Sequence, residues 1–166
     1  MNHPTSDIRR QATRLLDSAS VSREPVSLRD VVSALNLELV GKTREPFTSE
    51  AALVPLVDGR GGALNGGGDS GRRRFTIAHE IGHFMLHQEQ RCHPESNGTV
   101  DEAARVEEGE ADEFAAELLM PEHLVREAVR THGTDATRLA DRFEVSRKAM
   151  QARLRTLGMA EHHSEL

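Results

Sequence analysis

His79-Glu80-Ile81-Gly82-His83 places two histidines four residues apart with a glutamate directly after the first, the H-E-x-x-H pattern. On a helix that spacing stacks the two imidazoles one turn apart on one face, where they can hold a single divalent cation. Neutral nitrogen donors suit zinc, and Mn²⁺ or Fe²⁺ can occupy the same kind of set. Glu80 lies about 100° round the helix from His79, outside the metal shell but within reach of a water at the metal. It is the candidate general base. Ile77, Ile81, Phe84 and Met85 recur at helical spacing, so one stripe enters a core while the histidines face a cleft. Gly82 allows a second element to pack close, at a helix cost of roughly 0.8 to 1.0 kcal/mol relative to Ala. The competing explanation is an amphipathic helix with a coincidental histidine pair, since the chain has nine histidines in 166 residues. The intervening glutamate and the apolar flanks weigh against it.

A catalytic zinc takes a third protein ligand and keeps one position open. A helix over about 101–120 offers carboxylates for this role. Ala111, Phe114, Ala115, Leu118 and Leu119 form its apolar face, and Glu108 and Asp112 share a neighbouring line. Glu108-x-x-x-Asp112 is the spacing with which a second helix in thermolysin-like enzymes supplies a ligand and then a supporting carboxylate. Asp112 would accept the outer N–H of a ligand histidine, fixing its tautomer and raising its basicity. Glu107 and Glu110 remain further candidates for the ligand.

The other elements must hold these two helices together. Ile8, Ala12, Leu15, Leu16 and Ala19 mark a first helix with one buried face. A second begins near Ser27, where Ser27 and Asp30 resemble a capping box, and buries Leu28, Val31, Val32 and Leu35. Leu37 and Leu39 alternate with Glu38, which predicts a short strand before a loop over 41–50. AALVPLV at 51–57 and GALN at 62–65 predict two further strands joined by the turn residues Asp58-Gly59-Arg60-Gly61. Pro55 makes the first of these an edge or bulged strand, where an extended peptide could add itself beside the metal helix. The glycine-rich stretch at 66–71 lacks G-K-[ST] and predicts a linker rather than a phosphate cradle. Arg72-Arg73-Arg74 is taken as a solvated turn at the start of the next helix.

The run 88–99 predicts a loop carrying Cys92 and His93, which have no helical register to aim them at a metal. After Pro121, helices are expected over about 122–131, from Thr134 or Asp135 to Phe143, and from the cap Ser146 to about Leu157. The last two have the length and short turn of a helix-turn-helix. From Arg138 to Arg155 they carry six basic residues (Arg138, Arg142, Arg147, Lys148, Arg153 and Arg155) against Asp141 and Glu144. A helical pair packed on the rest of the chain is the simpler expectation, with no direct DNA binding. His162 and His163 lie in a polar tail.

Composition narrows the classes. A formal charge of −6 argues against general nucleic-acid coating. Cys92, the single cysteine, excludes an internal disulfide and suits a reducing compartment. There is no membrane-spanning run and no apolar segment of a signal peptide near the start, which predicts a cytoplasmic protein. With no Tyr in the chain, a histidine, an arginine or the metal must stabilise a tetrahedral oxyanion.

RFTIAHEIGHFMLH at 74–87, EGEADEFAAELLMP at 108–121 and FEVSRKAMQARLRTLG at 143–158 together resemble the ImmA/IrrE family of bacterial metallo-endopeptidases. The opening helices, with Pro25-Val26 before the second, look like that family too, so the resemblance covers nearly the whole chain. It implies zinc on His79, His83 and Glu108, with Glu80 as base and Asp112 in support. It also implies a cytoplasmic protease that cleaves a helix-turn-helix repressor or antitoxin encoded nearby, relieving repression of stress, phage or mobile-element genes. No sensor domain of the longer relatives is expected. The fold class expected is α+β: a mostly helical, zincin-like minimal metallopeptidase with a small antiparallel or mixed sheet. Residues 1–121 would form the peptidase domain, with its metal helix over about 71–88. Residues 122–158 would be the helix-turn-helix-like segment packed on it, and 159–166 a tail. Two non-catalytic alternatives are a metal-stabilised DNA-binding regulator and a protein that sequesters a repressor. An intact Glu80 disfavours both.

Overall fold

Polar side chains cap three of the helix starts. Ser27 Oγ accepts from the Asp30 N–H at 3.4 Å, and Ser146 Oγ accepts from the Ala149 N–H at 3.1 Å. Asp135 Oδ1 accepts from the N–H groups of Thr137 and Arg138 at 2.8 and 3.2 Å. Such a cap contributes about 1 kcal/mol by satisfying N–H groups that the helix cannot. In the computed structural model, which describes residues 3–40, 53–55, 61–64, 70–87 and 102–159, the elements run in this order: α1 (Thr5–Ser18), α2 (Leu28–Ala34), β1 (Leu37–Val40), β2 (Leu53–Pro55), β3 (Gly61–Leu64), α3 (Ser70–Leu86), α4 (Glu102–Leu119), α5 (Glu122–His132), α6 (Ala136–Phe143) and α7 (Arg147–Thr156).

The α+β expectation is overturned, because the fold is carried by helices. Three short strands pair through their backbones in the order β1-β3-β2, with β1 parallel and β2 antiparallel to β3. The strands span three or four residues each, whereas all seven described helices contribute buried apolar side chains, and Leu37 of β1 joins them. The reason is length and composition. Strands of three or four residues present too little apolar face to pack on, and two of the four residues of β3, Gly61 and Gly62, have no side chain to contribute.

The helical core centres on α3 and α4. Ile77, Ala78 and Ile81 of α3 meet a cluster that includes Phe114, Ala115, Leu118 and Leu119 of α4 and Ile8 and Leu15 of α1. Each fully buried side chain of the size of Phe114 or Leu118 contributes roughly 1.5 to 3 kcal/mol relative to exposure. At Gly82 the two helices approach closely: a Cβ there would stand 3.0 Å from the Ala111 carbonyl oxygen and 3.1 Å from its Cα.

The C-terminal helices are bound into the same body. Gly71, in the first turn of α3, lies so near the turn between α6 and α7 that a Cβ would be 3.0 Å from the Val145 carbonyl carbon. Arg153 of α7 is buried, and its guanidinium forks onto Glu117 of α4, with Nη1 to Oε1 at 2.8 Å and Nη2 to Oε2 at 2.7 Å. Its Nε donates to the Met120 carbonyl at 2.9 Å. One of the basic residues counted above is therefore a core residue and not a phosphate contact. Arg142 is likewise engaged, with Nη2 at 2.6 Å from Glu24.

The three arginines at 72–74 are not a turn before the helix but part of α3. Arg74 is half-buried, donating to the Val26 carbonyl at 2.8 Å with Glu144 at 3.6 Å. The loop over 41–50, the turn at 58–60, the glycine stretch at 66–69, Cys92 and His93, and the tail from 160 onward lie outside the described residues.

Candidate metal centre

The helix α3 carries His79 and His83 on the line that faces α4. Their Nε2 atoms are 3.0 Å apart, and the rings meet edge to face with centroids at 4.6 Å. Glu108 reaches across from α4, with Oε2 3.2 Å from His79 Nε2 and Oε1 3.1 Å from His83 Nε2. Asp112, one turn further along α4, has Oδ1 2.8 Å from His79 Nδ1. The pairs His79–Asp112 and His83–Glu108 thus run in opposite senses along the two helices, and the Gly82–Ala111 contact holds them at the distance this bridging needs.

The protonation states follow from the partners. A carboxylate only accepts, so His79 donates Nδ1–H to Asp112 and is left with a lone pair on Nε2, aimed at Glu108 and His83. Burial first, then the neighbouring His79, hold the His83 imidazole below its ordinary range, against the opposing pull of Glu108. It is therefore neutral at neutral pH, the form that binds a cation. Histidines 17% and 19% exposed face a carboxylate 64% exposed, so the cluster reaches the surface rather than lying in a sealed core.

The donor set fits a small divalent cation. A tetrahedral ion with bonds of about 2.0 to 2.2 Å holds its ligand atoms roughly 3.3 to 3.6 Å apart; here the two imidazole nitrogens are 3.0 Å apart, and one Glu108 oxygen lies 3.2 Å from the first while the other lies 3.1 Å from the second. Glu80 is half-buried on α3 directly after His79.

Of the residues singled out in the sequence, His79, His83, Glu108 and Asp112 are brought together. Glu107 joins no cluster of metal-ligating groups among the described residues, and Glu110 goes to a different one. Glu110 is 5% exposed, near His87 of the α3 end and His3 before α1. Sequence reasoning did not find that second group. A signal was present, since His83 and His87 repeat the four-residue spacing of His79 and His83. A concavity of about 290 Å³ lined by Arg9, Glu117 and Glu122, among others, lies away from these histidines.

Two histidines one turn apart, a carboxylate facing them from a second helix and a glutamate beside the first histidine define a metallopeptidase type of site. The family model described as the IrrE N-terminal-like domain, Peptidase_M78, matches residues 63–155, a span that includes α3, α4 and most of the C-terminal helices. The chain belongs to this metallopeptidase family. No curated protein matches it.

Proposed function

We propose that the chain is a zinc-dependent endopeptidase in which His79, His83 and Glu108 hold the metal, Glu80 is the catalytic base and Asp112 orients His79. The observation that carries this reading is the convergence of the His79 and His83 Nε2 atoms with both Glu108 oxygens. When bound, the divalent cation supplies Lewis acidity, polarising the scissile carbonyl and making water easier to deprotonate. Zinc suits the set best, with Mn²⁺ or Fe²⁺ able to substitute.

The chain's own residues do the rest. Glu80 takes the proton from the attacking water and passes it to the leaving amine, so one side chain serves as base and then as acid. Asp112, through its bond to His79 Nδ1, keeps the Nε2 lone pair directed toward Glu108 and His83.

For substrate we propose a helix-turn-helix repressor or antitoxin encoded nearby, cleaved in the cytoplasm to relieve repression of stress, phage or mobile-element genes. This rests on the resemblance to the ImmA/IrrE family. No described helix is long and apolar enough to cross a membrane. Residues 122–158 serve in this reading as a scaffold packed against residues 1–121 rather than as a DNA reader, supported by the enclosed Arg153–Glu117 pair.

Glu80→Gln tests the proposal. Glutamine keeps the size and hydrogen-bonding reach but cannot act as base, so metal content should stay at the wild-type level while turnover falls by roughly 10² to 10⁴. His83→Ala should lose metal and activity together. A candidate repressor is incubated with each protein, and its mass and DNA binding are followed separately. Equal release from DNA by wild type and Glu80→Gln, with no fragment from either, would mean that the chain acts by sequestration.

A further inference from the structure

Next to the first cluster, the structure places a second group of metal-ligating side chains that the peptidase reading does not use. His3, His87 and Glu110 each offer a ligand atom, all within 4.8 Å of one another. His87 and Glu110 are 6% and 5% exposed, so their polar atoms have left water. His87 Nε2 and Glu110 Oε2 face each other at 3.6 Å, and neither has a hydrogen-bond partner. Two enclosed, unsatisfied polar atoms are costly, and more so when one carries a charge.

We propose that His3, His87 and Glu110 bind a second divalent cation, of zinc type, separate from the ion held by His79, His83 and Glu108. The 3.6 Å gap is long for a hydrogen bond, but it is the separation of two donors on one tetrahedral ion with bonds of about 2.2 Å. The remaining contacts ready the other donors. His3 Nε2 lies 3.1 Å from the Leu86 carbonyl oxygen, which only accepts, so this nitrogen carries the proton and Nδ1 keeps the lone pair. A ligand histidine with its outer N–H on a backbone carbonyl is the usual support of a metal site. The His3 backbone N–H donates to Glu110 Oε1, which leaves Oε2 as the free oxygen.

Two neutral imidazoles and one carboxylate match a dication in donor type and reduce its charge. The site ties the segment before α1 to the end of α3 and to α4, and it is enclosed where the first cluster is open. Its role is accordingly structural. The rings of His83 and His87 are 5.4 Å apart between centroids, so this cation would also brace the turn of α3 that presents His83.

The test is metal stoichiometry of the full chain after zinc loading and dialysis against metal-free buffer, together with thermal unfolding. Wild type should retain about two equivalents of zinc, and His79→Ala, His3→Ala and Glu110→Gln about one each. His3→Ala removes a half-buried side chain outside any helix, so it reports even if Glu110→Gln does not fold. Added zinc should raise the unfolding temperature of His79→Ala but not that of the double variant His3→Ala/His79→Ala. One equivalent in wild type that vanishes in His79→Ala and persists in His3→Ala would overturn the second site while leaving the peptidase centre intact. One equivalent that persists in His79→Ala and vanishes in His3→Ala would support it and sink the first assignment.

Discussion

Asp112 Oδ1 stands 2.8 Å from His79 Nδ1, on the far side of the imidazole from Glu108. The aspartate therefore selects which nitrogen of His79 carries the proton, although it need not touch a metal itself. Asp112→Ala should lower metal affinity by about 10- to 100-fold, the usual effect of removing such a support. Competition against a zinc-responsive chelator measures it. Affinity equal to wild type would show that His79 does not need this partner.

Gly82 predicts a steric limit at the same interface. An alanine Cβ would press on the Ala111 backbone at 3.0 to 3.1 Å, and backbone cannot rotate away. The helix propensity gain of roughly 0.8 to 1.0 kcal/mol opposes an overpacking cost of about 1 to 3 kcal/mol. Gly82→Ala should be destabilising or neutral and Gly82→Val clearly destabilising, as read from urea midpoints. Since the two helices would be pushed apart, metal affinity should fall with stability. A stabilised Gly82→Val would contradict the close approach.

Glu117 and Arg153 form an enclosed pair between α4 and α7, with Arg9 also 3.2 Å from Glu117, and removing Glu117 leaves the buried Arg153 charge without its carboxylate. Glu117→Ala should cost about 3 to 5 kcal/mol, whereas replacing both by well-packed apolar residues should cost much less. Chemical denaturation of the two single variants and the double variant gives the coupling. Additive losses would show that the charges do not act as a pair.

Glu24 and Arg142 supply a pH-dependent contribution. Burial, the largest single influence, works to raise the Glu24 pKa, but the hydrogen bond from Arg142, a backbone hydrogen bond and the Arg142 charge together outweigh it, and the carboxyl is held below its usual range. A depressed carboxylate pKa stabilises the fold above the unfolded value and loses that contribution as pH falls through the folded value. Arg142 is 41% exposed, so solvent screening limits the effect to about 1 kcal/mol or less. The stability difference between wild type and Glu24→Gln should shrink between about pH 6 and pH 3. A difference that grows toward acid would reverse the assignment.

The local chemistry was legible in one dimension. The spacing His79-x-x-x-His83 needs only the helical period to stack two imidazoles, and Ser27, Asp135 and Ser146 cap through bonds that span two or three residues. The same four-residue repeat sets Glu108 and Asp112 on one line of their helix, with Glu107 and Glu110 still open as alternatives. Tertiary structure decided what those groups face. No local rule distinguishes Glu108, exposed beside two histidines, from Glu110, buried two residues later beside two others; the packing of α1 against α4 does so. Arg153 looked like a member of a basic surface until the docking of α7 enclosed it against Glu117. The strands at 37–64 followed alternation and turn residues, yet they stay short, while all seven described helices supply buried apolar side chains. Alternation records which residues can pair, while burial depends on which long apolar faces compete for the interior, and here the helices present the longer ones.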